Sequence, residues 1–157
     1  MGSDFIHPSW AFIALALIVP LLKGTWWRGL LLVPPTIALA AVVSMSSGAH
    51  GLVTYLGLDL VLGRVDRLSV VFGHVFAIQS LVAMIYAFHV KERAHHAAAC
   101  LYVAGAFGCV FAGDYLTLFI FWELMSVAST FLVWLNRRAA STRSLPRRRT
   151  QPVRWRR

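Results

Sequence analysis

Five long apolar blocks constrain this chain more than any other feature of its sequence. They lie at residues 8–22, 29–47, 68–90, 97–113 and 115–135. About 20 apolar residues in a helix cross the hydrocarbon core of a bilayer. Because 59% of the residues are hydrophobic and only 13% are charged, a soluble chain of this length would lack the polar surface to cover its core. The sequence therefore predicts an all-α, polytopic membrane helix bundle with about five transmembrane helices.

The first two spans and the segment after them are the least regular part of the pattern. Pro20 lies near the end of the first span, and Pro34-Pro35 interrupt the second. Such prolines kink a membrane helix, and neighbouring groups must then satisfy the freed carbonyls. Residues 48–67 join the second and third spans, and short alternating stretches there are separated by glycines at 51, 57 and 63. This pattern predicts an outer loop that contains a hairpin at the membrane surface.

The charges outside the spans predict an orientation. The first loop carries Lys23 and Arg28, the third carries Lys91 and Arg93, and residues 136–157 contain nine arginines and no acid. Basic loops remain on the cytoplasmic side, so we expect the N-terminus outside and the C-terminus inside. We expect residues 136–157 to form a disordered basic tail that touches anionic lipid headgroups. Nucleic acid is not an expected partner, because the arginines lack a folded reader.

Glu123 is the candidate functional residue. It is the ninth residue of the fifth span, which places it about 12 Å below the outer end of that helix. A carboxylate at this depth costs at least ~2.5 kcal/mol on insertion scales. In hydrocarbon a carboxylic acid exchanges protons closer to neutral pH than in water, because desolvation penalises the carboxylate. We predict a proton relay at Glu123, and the alternative is a carboxyl group that only hydrogen-bonds a neighbouring helix.

Four other polar residues within the spans are candidates for the same pathway. Ser126 and Thr130 stand three and seven residues after Glu123, so helical periodicity predicts them on its side of the helix, where their hydroxyls can hold water. His74 and Gln79 lie in the third span, where they either line a polar path or bond the neighbouring backbone.

Small residues in the fourth span predict a close helix contact. Ala104, Gly108 and Ala112 recur at four-residue spacing, and such stripes let two membrane helices approach closely. The fifth span begins after one turn residue, Asp114, so we expect it to be the neighbour.

The chain offers little chemistry besides these groups. Cys100 and Cys109 are about 13 Å apart along one helix, too far for a disulfide. Two lone thiols without other ligands make a poor metal site, and the motifs of soluble enzymes are missing. We therefore expect no metal, no cofactor and no catalytic site within the chain itself.

Two segments resemble a known family. The stretch AGDYLTLFIFWELMSVASTFLVWL at 112–135 is similar to the proton-conducting membrane subunits of respiratory complex I and of the Mrp-type cation/proton antiporters, and the D-like branch of the antiporter subunits fits best. The stretch GRVDRLSVVFG at 63–73 resembles the entry into the third helix of that family. The resemblance implies that the Trp122-Glu123 pair holds the essential glutamate of the proton path.

The resemblance covers residues 1–138 and implies an N-terminal fragment, because family members have around fourteen helices. It implies a truncated subunit of a proton-translocating assembly resembling an NADH:quinone oxidoreductase or antiporter, multi-pass in the bacterial cytoplasmic membrane. Its expected partners are other membrane subunits, the lipid bilayer, protons and, as a second ion, Na⁺. The alternative is a non-conducting membrane scaffold that is derived from the family and packs through its fourth helix.

Overall fold

The computed structural model describes residues 7–55 and 57–143, and within them it contains six α-helices and one two-stranded sheet. The helices and strands follow one another in this order: α1 Pro8–Ile18, α2 Trp27–Leu30, α3 Val33–Ser44, β1 Gly48–Tyr55, β2 Leu58–Val65, α4 Arg67–Tyr86, α5 Arg93–Phe111 and α6 Tyr115–Arg143. Single 3₁₀ turns, Val19–Leu21 and Ala87–His89, extend α1 and α4.

The described helices are those of a multi-pass membrane protein. Four segments are long and apolar enough to cross a bilayer, and Pro8–Leu21 is a shorter apolar helix. The four long segments are Trp27–Ser44, Arg67–His89, Arg93–Phe111 and Tyr115–Arg137. The predicted fold class, an all-α polytopic bundle, is confirmed.

Prolines divide the second span into two helices. Pro34 and Pro35 have no N–H to donate to the carbonyls one turn earlier, and they occupy the first turn of α3, where a helix needs no such donor. The hydroxyl of Thr36 lies within hydrogen-bond distance of two carbonyls at the start of α3, those of Leu32 (2.9 Å) and Val33 (2.8 Å). The result is a break between α2 and α3 rather than a continuous kinked helix.

The segment expected to contain a hairpin consists of two antiparallel strands. β1 pairs with β2 from Gly48 opposite Val65 to Tyr55 opposite Leu58. Gly57, in the turn between them, has φ 80°, in the left-handed region that glycine adopts without strain.

Helix α5 occupies the centre of the bundle. It packs against α1, α4 and α6, while α3 packs against α1 and α4. Phe12 of α1 and Phe107 of α5 are fully buried and stack with ring centroids 5.5 Å apart. The hydroxyl of Ser9 donates to the carbonyl of Ala104 at 2.8 Å and so joins the same two helices with a buried hydrogen bond.

The connecting loops meet in pairs at the two ends of the bundle. The Arg93 side chain, at the start of α5, donates to the carbonyl of Gly24 in the first loop at 3.4 Å. At the opposite end, Gly113 N–H donates to the carbonyl of Val61 in the hairpin at 2.9 Å. The first and third connections therefore lie at one end of the bundle, and the hairpin and the α5–α6 turn lie at the other. Helices that cross a membrane in alternating directions place their connections in this way.

α5 begins earlier and α6 ends later than the sequence predicts. α5 begins at Arg93 rather than at residue 97, and α6 continues to Arg143 rather than ending at 135. Residues 136–143 of the expected disordered tail, 136–157, continue helix α6 in the structure, where arginine and alanine are strong helix formers and positive charge suits a helix C-terminus. The remaining part of that prediction lies outside the described residues.

Candidate functional site around Glu123

Glu123 stands on the outward surface of α6. Its helix begins at Tyr115, so the carboxyl group lies about 12 Å along the helix axis from that end. The side chain is exposed in the described chain, as are its apolar neighbours Ile120 and Val127. Because hydrocarbon does not solvate a carboxylate, this face of α6 requires either a protonated acid or a polar partner that covers it.

A groove of about 530 Å³ separates α6 from α1 and includes Glu123 in its wall. Its walls are mainly apolar, and the residues that define them on the two helices are Trp10, Ile13, Ile120, Phe121, Leu124 and Val127. Thr117 and the hairpin residue Leu62 line the groove nearer to the hairpin end. The groove therefore joins the mid-helix carboxyl group to the end of the bundle that carries the hairpin.

His7 is a second titratable residue in the groove, and the sequence did not predict it there. It caps α1, where its Nδ1 accepts a hydrogen bond from the Ser9 N–H at 3.2 Å, and it hydrogen-bonds the backbone of Leu62. Its ring stacks on Phe121, with centroids 5.6 Å apart and planes 7° apart, and is 4% exposed. The sequence signal was the His7-Pro8 pair at a helix start, which marks a cap but not the contact with α6.

The two hydroxyls predicted beside Glu123 bond to their own helix. Ser126 Oγ donates to the Trp122 carbonyl at 3.0 Å, and Thr130 Oγ1 donates to the Ser126 carbonyl at 3.0 Å. The residues of α6 that share the groove with Glu123 are instead Ile120, Leu124 and Val127. A water-holding role for Ser126 and Thr130 therefore stays a prediction, one that depends on their remaining acceptor capacity.

His74 and Gln79 lie on α4, which packs against α3 and α5. Nδ1 of His74 contacts the Val70 carbonyl one turn earlier at 2.8 Å, and Gln79 is exposed. The structure brings neither of them into the groove that contains Glu123. The contact of His74 with the backbone is the second of the two roles considered for it. A polar path through α4 stays a prediction.

Two glycines of α5 allow α6 to pack closely against it. A side chain at Gly108 would overlap the Phe121 ring, and a Cβ at Gly105 would lie 2.9 Å from the Phe121 carbonyl oxygen. Gly108, from the predicted small-residue stripe, thus faces α6 as expected, whereas Ala104 of the same stripe faces α1 through Ser9. Gly108 of the predicted stripe therefore contacts another helix of this same chain.

Asp114 fastens α6 to the hairpin. Its Oδ1 accepts from the Thr117 N–H at 2.7 Å, the position of a helix N-cap, and its Oδ2 accepts from the Thr117 hydroxyl at 2.6 Å and from the Val61 N–H at 2.7 Å. Desolvation alone would raise the pKa of this carboxyl group, but the hydrogen bonds from Thr117 and Val61 outweigh it and lower the pKa below its ordinary value. This cap therefore fixes the start of α6 at Tyr115, eight residues before Glu123.

Asp66 has a comparable capping role at the start of α4. Its side chain accepts from the Ser69 N–H at 2.7 Å, and the Ser69 hydroxyl accepts from the Asp66 N–H at 2.8 Å, which forms a capping box. The hydrogen bonds from Ser69 lower the pKa of Asp66.

Comparison with known proteins gives one structural likeness. No family model and no curated protein sequence matches the chain. Its fold is similar to that of a chain in the structure of the membrane-bound sulfane sulfur reductase (MBS), an archaeal respiratory membrane complex, with a TM-score of 0.71 and 20% identity. The likeness covers 78% of this chain and 21% of that chain.

This likeness establishes the fold. Over that part of the chain, the backbone has the arrangement found in part of a chain of a respiratory membrane complex. The chain spans about a fifth of the length of the protein it matches.

Proposed function

We propose that this chain is a membrane subunit of a proton-translocating assembly of the complex I or Mrp-antiporter type, with Glu123 as a proton relay. The observation that carries the proposal is an exposed acid on a helix long and apolar enough to cross a membrane, in the wall of a groove that leads toward one end of the bundle. The likeness to a respiratory membrane complex chain and the Trp122-Glu123 motif support it.

The exposed carboxyl group implies partners. A buried face of α6 would solvate Glu123 through protein groups, whereas lipid cannot. Other membrane subunits in the bacterial cytoplasmic membrane would cover α6 and continue the path, and protons, with Na⁺ as the second candidate ion, would be the transported species. In this arrangement the chain supplies a relay, while redox chemistry belongs to other subunits.

Proton flux through the assembly tests the relay. The complex is reconstituted in vesicles, and acidification is followed with a pH-sensitive dye for the wild type, Glu123→Gln and Glu123→Asp. Because glutamine keeps the shape but cannot exchange a proton, flux should fall at least tenfold in Glu123→Gln and partly recover in Glu123→Asp. Glu92→Gln is the matched control, since Glu92 is exposed outside the described spans. Wild-type flux in Glu123→Gln would remove the relay role.

The alternative is a non-conducting membrane scaffold derived from the same family. The observation that favours it is the bonding of the Ser126 and Thr130 hydroxyls to the helix backbone rather than to Glu123. A scaffold predicts that Glu123→Gln leaves flux unchanged while the chain still co-purifies with its partners.

A further inference from the structure

Basic side chains converge at the end of the bundle opposite the hairpin. Arg28 and His89, together with His95, lie close enough to interact electrostatically with His96, which is 1% exposed. The His96 ring packs edge-on against Trp27 with centroids 5.2 Å apart, and the Arg28 guanidinium carbon lies 5.9 Å from the Trp27 ring centroid. We call this group, defined by Trp27, Arg28, His89, His95 and His96, the basic cluster.

Two buried polar atoms of the basic cluster have no hydrogen-bond partner among the described residues. They are Nε of Arg28 and Nδ1 of His96. Nε2 of His96 contacts the carbonyl of Val90 at 3.0 Å, and since a carbonyl only accepts, Nε2 carries the proton. Leaving buried polar atoms unsatisfied is costly in a folded protein, so these two atoms point to a group that the cluster receives from outside the chain.

The local charge selects an anion. Lys23 in the first connection and Arg93, which donates to the Gly24 carbonyl of that connection, add positive charge at this end of the bundle, and Glu92 is the acid beside Arg93. Glu92 is exposed at the N-cap of α5, and its side chain makes no capping hydrogen bond. The first N–H groups of α5 therefore add their partial positive charge to this end of the bundle.

Exposed apolar side chains next to the basic cluster favour an anion that belongs to a lipid. Three apolar residues at the bounds of neighbouring helices have exposed side chains: Leu21 (79% exposed), Trp26 (63%) and Tyr86 (78%). They can contact acyl chains and the interface while a headgroup reaches the basic residues. Basic sites between membrane helices on the cytoplasmic side bind phosphate headgroups in this way.

We propose that the basic cluster binds the phosphate headgroup of an anionic phospholipid. The Arg28 guanidinium donates to the phosphate oxygens, and a hydroxyl of the headgroup donates to Nδ1 of His96, which is the acceptor of this ring because Nε2 carries the proton. The assignment is independent of the relay at Glu123, which lies on another helix.

Lipid binding to the purified full chain tests the proposal. Native mass spectrometry measures retention of phosphatidylglycerol and of phosphatidylcholine with the same acyl chains, for the wild type, Arg28→Gln and Lys91→Gln. Loss of one charge-assisted contact should weaken phosphatidylglycerol binding about tenfold in Arg28→Gln. Lys91→Gln is the matched control, since it removes one exposed charge from the same end and should bind like the wild type.

A second variant and a free anion complete the experiment. His96→Phe keeps a ring against Trp27 and removes Nδ1, so it should also lose the preference for phosphatidylglycerol even if Arg28→Gln fails to fold. Inorganic phosphate, added in thermal unfolding, should raise the Tm less than phosphatidylglycerol at equal concentration. Equal retention of the two lipids, an equal loss in Lys91→Gln, or equal stabilisation by phosphate would each overturn the lipid assignment.

Discussion

Replacing Asp114 with alanine should release the hairpin from the α5–α6 turn. The carboxylate accepts three hydrogen bonds, two from Thr117 and one from the Val61 N–H. Loss of an N-cap costs about 1 kcal/mol, and loss of the partly exposed bond to Val61 costs about 1 kcal/mol more. The local opening free energy of the hairpin should therefore fall by about 2 kcal/mol, which is roughly a thirtyfold loss of protection from hydrogen exchange.

Hydrogen exchange with mass spectrometry, on the protein in detergent, measures this loss directly. Peptides that contain Val61 should exchange roughly thirtyfold faster in Asp114→Ala, while peptides from the buried middle of α5 should keep wild-type rates. Asp66→Ala is the matched control, because the Asp66 carboxylate caps α4 through Ser69 of that same helix. Unchanged exchange at Val61 in Asp114→Ala would show that the carboxylate does not hold the hairpin.

Two further predictions concern the same region and the α5–α6 contact. Because the folded-state pKa of Asp114 lies below its ordinary value of 3.8, its contribution to stability is complete above that pH and is lost as the pH falls through the lower folded pKa. The protection factor of the Val61 amide, which corrects the exchange rate for its intrinsic pH dependence, should fall over that acidic range in the wild type and stay constant there in Asp114→Ala. Gly108→Ala should destabilise the protein by about 1–3 kcal/mol, because the new methyl group overlaps the Phe121 ring. Gly29→Ala, which meets no atom within 4 Å, should leave the Tm in detergent unchanged, and equal Tm values for the two alanine variants would contradict the close α5–α6 contact.

The spans could be predicted from the sequence because hydrocarbon thickness sets the length of an apolar helix. The helix ends could not, since hydropathy locates the boundary of the lipid rather than the last backbone hydrogen bond. α5 therefore begins at Arg93, before the apolar residues, and α6 continues to Arg143, beyond them. Pro34-Pro35 predicted an irregular second span, and in the structure the two prolines lie in the first turn of α3, after the short helix α2.

The sequence could predict a site residue only where the free-energy cost of that residue in hydrocarbon does not depend on its neighbours. Glu123 stands out because a carboxylate is costly in hydrocarbon wherever its neighbours lie. His7 does not, because its approach to Phe121 depends on how α1 and α6 pack across more than a hundred residues of sequence. The hydroxyl of Ser126 was expected to face Glu123, but in apolar surroundings the backbone carbonyl one turn earlier is the nearest acceptor.

The hydrogen bond between Asp114 and Val61 can form only late in biosynthesis, because the hairpin is synthesised well before Asp114. The two residues are 53 positions apart, and the hairpin is made first. At about 5–20 residues per second, the strands wait several seconds at the membrane surface before their carboxylate anchor leaves the ribosome. Until α4 and α5 have inserted, the hairpin relies on its own ladder, and a two-stranded ribbon alone is marginally stable in water. The insertion machinery or the lipid surface must therefore protect this segment while the later helices are still being translated.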